Sequence, residues 1–146
     1  MINAVEKGRQ LHVTIGDDED ARVFVVPPVN VEAGAQLLIR FLGIYTKAAK
    51  NPIGDGIDLA KTAIGDANYQ AAQDLRPGEF DDLVNAALYW NVYGGGSEAL
   101  NAYLTGGRPK ATAIVFERAG VSLRPSPTVE SPSQTSPTSE SAPPTP

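Results

Sequence analysis

Apolar and polar positions alternate in "LHVTI", where Leu11, Val13 and Ile15 point one way and His12 and Thr14 the other. "RVFVV" follows after the cluster "GDDEDA", and two β-rich runs around Gly/Asp predict a hairpin. Pro27 and Pro28 end the second run, because proline donates nothing to a strand ladder. The period then changes. In "VEAGAQLLIRFLGIYTKAAK", Leu37, Phe41, Ile44 and Ala48 recur at helical spacing. Asn30 is the expected N-cap, Glu32 lies in the first turn, and Lys47 and Lys50 suit the last turn. "NPIGDG" reads as the stop.

Further along, "IDLAKTAIGDANYQAAQDL" reads as one helix or, because of Gly65, as two, after Asp58 and after Asp66. "RPGE" marks a turn and a restart. From Glu79, Phe80, Leu83, Ala87 and Trp90 share a face, flanked by Val84 and Leu88, and Phe80, Leu83 and Trp90 are the expected core anchors. Gly94–Gly96 end that helix, and Ser97 is the expected cap of the next, which Gly106 and Gly107 close. "KATAIVFERAG" predicts a last short helix. The fold class is therefore mainly α with a small N-terminal β-hairpin (α+β), a helical-bundle domain over residues 1–124. From Pro125, "PSPTVESPSQTSPTSESAPPTP" has only Val129 as a sizeable apolar side chain, so residues 125–146 are expected to form a disordered Pro/Ser/Thr-rich tail.

Charge and composition narrow the function. A net charge of −5 argues against a nucleic-acid binder, which needs a basic footprint. There is no cysteine, so disulfides and thiolate metal sites are excluded. The start lacks the apolar core of a signal peptide and no run reaches the length of a membrane span, which points to a soluble cytosolic protein. Asp17, Asp18, Glu19 and Asp20 read as a solvated hairpin loop. "GDGID" at 54–58 lacks the alternating ligands and distal Glu of a calcium loop. His12 is the lone histidine, and "GGGSEA" around Ser97 is not a G-x-S-x-G elbow. The glycines of 94–96 lack the Lys and Ser/Thr of a phosphate loop. No constellation supports catalysis, a cofactor or a metal, and a non-enzyme is expected.

What the chain does have is an aromatic segment, "ALYWNVYGGGSEALNAYLTGG". Tyrosine and tryptophan favour interfaces because they combine large area with few rotors and a polar tip. One reading holds Trp90 inside and sets Tyr89, Tyr93 and Tyr103 outside, lining a groove that takes an amphipathic partner helix. On this reading Tyr89 and Tyr93, four apart, share one helical face.

The order of these features resembles the tail assembly chaperones of long-tailed phages of actinobacteria. The resemblance runs through "QLHVTIGDDEDARVFVVPPVNVEAGAQLL", "AIGDANYQAAQDL", "FDDLVNAALYWNVYGGGSEALNAYLTGG" and "GGRPKATAIVFERAGVSLRPSPTVESPSQ". The tripled glycine and the absence of a strongly acidic middle depart from the family pattern. The resemblance implies a chaperone that binds the tape measure protein, keeps it soluble until the tail tube polymerises around it, and is absent from the finished virion. It implies action in the host cell cytoplasm, and commonly a longer form of the same protein made by programmed frameshifting. Pro109–Lys110 can be encoded by a heptamer that permits a minus-one slip. Self-association stays open as a further contact. So do two other classes: a structural head–tail connector or tail-completion protein, and a small regulatory adaptor.

Overall fold

The computed structural model describes residues 2–121. Three strands, β1 (Ile2–Lys7), β2 (Gln10–Ile15) and β3 (Arg22–Val26), form an antiparallel sheet in the order β1-β2-β3. The expected hairpin is thus present, with β1 as a third strand. In register, Val13 lies between Ala4 and Phe24, and Leu11 faces Val26. Leu11, Val13, Ile15, Phe24 and Val26 form the buried face. The acidic loop is a short 3-10 turn over Asp18–Asp20, fully exposed, as a run of adjacent carboxylates requires.

Five helices follow among the described residues: α1 (Val31–Tyr45), α2 (Pro52–Ile64), α3 (Asp66–Ala71), α4 (Pro77–Asn91) and α5 (Ser97–Ala119). The Asn30 side chain accepts from the Ala33 N–H at 2.7 Å, the expected cap. α1 ends at Tyr45, so Lys47, Ala48 and Lys50 lie beyond it. "NPIGDG" starts a helix instead of stopping one. Asn51 caps it by accepting from the Gly54 N–H, and Pro52 takes the first turn, where its missing N–H costs nothing. Gly65, at φ 88°, divides α2 from α3, so the two-helix alternative holds. α5 is broken at Gly107 (φ 84°, ψ −176°), where the chain leaves helical geometry before Pro109 restarts it. Ser97 is the first helical residue, not the cap. Gly96 takes that position, and the Ser97 hydroxyl donates to Glu6 on β1.

α4 is the central element. It packs against α5, α2 and α1 and against β1 and β2. Leu83, Val84, Ala86, Ala87, Leu88 and Tyr89 are all buried, so the helix is apolar nearly all round. A latch sits at its end. The Asn91 side chain accepts from the Val29 N–H at 3.1 Å and donates to the carbonyls of Pro27 and Ala63. One amide thereby ties the exit of β3 and the end of α2 to α4. The tail expected over 125–146 lies outside the described residues.

Candidate partner-binding site

The aromatic segment is built differently from the expectation. Tyr89 is fully buried and is the largest side chain of the core. Its hydroxyl shares a 2.9 Å hydrogen bond with Thr112 Oγ1, which is also buried. Its ring meets Phe41 edge-on at 5.9 Å and lies 5.4 Å from Tyr103. Tyr89 is therefore a core anchor and not a partner contact. Trp90, expected as the anchor, is half-buried at the rim with Phe80, while Leu83 is fully buried as expected. The exchange has a simple cause. A helix buried on most sides gives no period by which to choose between neighbours such as 89 and 90.

Tyr103 is half-buried. Its hydroxyl donates to Asp82 Oδ1 at 3.1 Å, and burial, reinforced by the Asp82 charge, pushes the phenol up to about 12. Tyr93 alone of the three is free, at 51% exposure. It does not share a helical face with Tyr89, because Val92 turns extended (φ −67°, ψ 148°) and swings Tyr93 out of the helix. The loop then folds tightly. The Gly96 N–H donates to the Tyr89 carbonyl, and a Cβ on Gly94 would stand 2.7 Å from the Val115 carbonyl. This packing closes the space between α4 and α5 that was expected to be a groove.

The exposed apolar surface lies elsewhere. Val31 (78% exposed), Ile39 (62%) and Tyr45 (50%) stand on α1, Ile53 and Ile57 on α2, and Val5, Val23 and Val25 on the outer sheet face. At helical spacing Val31, Leu38, Leu42 and Tyr45 form one row along α1, with its ends exposed and Leu38 and Leu42 half-buried against the core, beside the buried stripe of Gly34, Leu37 and Phe41. Ile39 widens it on the solvent side. The Tyr93 N–H donates to the Gly34 carbonyl at 3.1 Å, which ties the loop after α4 to the first turns of α1. A Cβ on Gly34 would come within 3.1 Å of the Asn91 carbonyl, so glycine permits this approach. At the other end Tyr45 stacks edge-on with Phe116 at 5.4 Å, which holds the ring in place. Periodicity picked only the stripe of Leu37, Phe41, Ile44 and Ala48, the last of which lies past the helix. The second apolar row of α1 was the available signal for this surface.

A cleft of about 480 Å³ opens between the β2–β3 loop and the start of α4. Within it Arg22 donates to Asp74 at 2.6 Å, and this bond holds the Asp74 carboxyl below the usual range. Residues 54–58 are helical, so they form no calcium loop. Among the described residues, no three His, Asp or Glu side chains are grouped to hold a metal ion, and no helix is long and apolar enough to cross a membrane. His12 sits on the outer sheet face in register with Val5 and Val25. Comparison of the chain with family models, with curated proteins and with solved structures returns no match.

Proposed function

We propose that the protein is a phage tail assembly chaperone, which binds the tape measure protein and keeps it soluble until tube subunits enclose it. One observation carries the reading beyond the resemblance in sequence. α1 keeps Val31, Ile39 and Tyr45 half or more exposed to water, while Gly34, Leu37 and Phe41 on its other side are buried in the core. Exposed apolar rows of this kind are costly to solubility and mark interaction surfaces. The complement they fit is the apolar stripe of a long helical protein awaiting assembly. The net charge of −5 keeps such a complex in solution.

The test is co-expression of the tape measure protein from the same genome with and without this chain. The chaperone reading expects the tape measure protein in the soluble fraction only when the chain is present, and the chain absent from purified virions. A tape measure protein that stays insoluble overturns it. Stoichiometric chain in virions replaces it with a connector or tail-completion role.

A further inference from the structure

We propose that the α1 stripe seats one amphipathic helix of the partner, docked with its acidic end over Lys47 and Lys50. This deepens the chaperone reading and rests on it. The stripe from Val31 to Tyr45 spans fourteen helical steps, about 21 Å, which matches roughly four turns of a partner helix. A helix surface has no unpaired backbone groups, so it cannot recruit a strand by edge pairing. It recognises side chains, and its natural complement is a second helix laid along it.

Charge supplies the polarity. Residues 33–54 carry Arg40, Lys47 and Lys50 and no acidic residue, in a chain with five more acids than bases. Lys47 and Lys50 are exposed just past Tyr45, whereas Glu32 is exposed beside Val31 at the opposite end. A helix with carboxylates at one end is matched at the lysine end and repelled at the Glu32 end, so one orientation is selected.

The probes are two fluorescent 18-residue peptides with the same leucine face, one with three glutamates in its terminal turn and its twin with three lysines. Anisotropy titration of the full chain is expected to favour the glutamate peptide by at least about tenfold. The double substitution Val31→Glu/Ile39→Glu changes two side chains that point to water, and is expected to weaken binding about tenfold with an unchanged circular dichroism spectrum. Lys47→Glu/Lys50→Glu is expected to reverse the preference. Binding blind to peptide charge, or equal binding by the Val31→Glu/Ile39→Glu variant, overturns the proposal. So does a wild-type dimer in sedimentation that this variant dissociates, since a second copy then occupies the stripe. Failure of the chaperone reading looks different: the glutamate peptide binds as expected, but the tape measure protein stays insoluble on co-expression.

Discussion

The α4–α5 pair and the helix α1 carry similar side chains to opposite ends. Tyr89 and Tyr103 lie in the pair, yet Tyr89 is sealed by Phe41 and Thr112, and the Tyr103 hydroxyl is held by Asp82. α1 looks like a plain core helix, yet Val31, Ile39 and Tyr45 stay in solvent. Residue type therefore does not decide which surface is free to bind. What decides is how many neighbours an element has. α4 has elements on most sides, so its aromatics are consumed by the core. α1 is covered by α2 and α4 on one side, so Val31, Ile39 and Tyr45 are left half or more in solvent.

The contrast can be broken at several points. Tyr89→Ala removes the largest buried side chain and should cost about 3–5 kcal/mol in denaturant melts. A cost under 1 kcal/mol would mean that the α4–α5 pair is open after all. Asn91→Ala should cost about 2–3 kcal/mol, because it leaves the part-buried Val29 N–H without its acceptor. Normal melting of that variant would show that the exit of β3, α2 and α4 hold together without the latch. Trp90→Ala should cost roughly 1–2 kcal/mol, clearly less than Tyr89→Ala, since the indole is half-buried. The reverse ranking would restore Trp90 as the anchor.

Tyr103 gives a pH test. Its folded value is about 12, against an ordinary value of 10. The unfolded chain therefore loses this proton first, and the stabilisation is full below pH 10 and falls as pH rises towards 12. The slope should lie well below the full linkage of about 1.4 kcal/mol per pH unit, because the ring is half-exposed. Tyr103→Phe should flatten it, and an unchanged alkaline slope would show that the phenol is as solvated as Tyr93. The smallest effect belongs to α1: Ile39→Glu should shift stability by no more than about 0.5 kcal/mol. A larger loss would mean that the stripe serves the fold.

Much of the fold was legible from the chain. β2 and β3 alternate cleanly, Asn30 is a strong cap, and Gly65 and Gly107 break helices where they stand. β1 was not legible, because "INAVEK" offers only Ile2 and Val5 as large apolar residues and they fall on opposite faces. The start of α2 was misread because Asn, Pro and Gly serve both as stops and as first-turn residues. The candidate site was less legible than the fold. Of the three tyrosines, only Tyr93 belongs to the exposed surface, and what frees it is the extended backbone of Val92, which no side-chain pattern announces.

The second half of α5 also constrains how the gene can be read. Thr112, Val115 and Phe116 are buried there, with Phe116 against Phe41 and Tyr45 and Thr112 on the Tyr89 hydroxyl. A minus-one slip by the ribosome at Pro109–Lys110 would rewrite every codon from residue 111 and exchange all three. The resulting product would fold only if the new frame returned apolar residues at the same helical positions. A slip downstream of Val121 leaves these positions untouched, so an extended product made there keeps the same folded body and adds its new sequence after it.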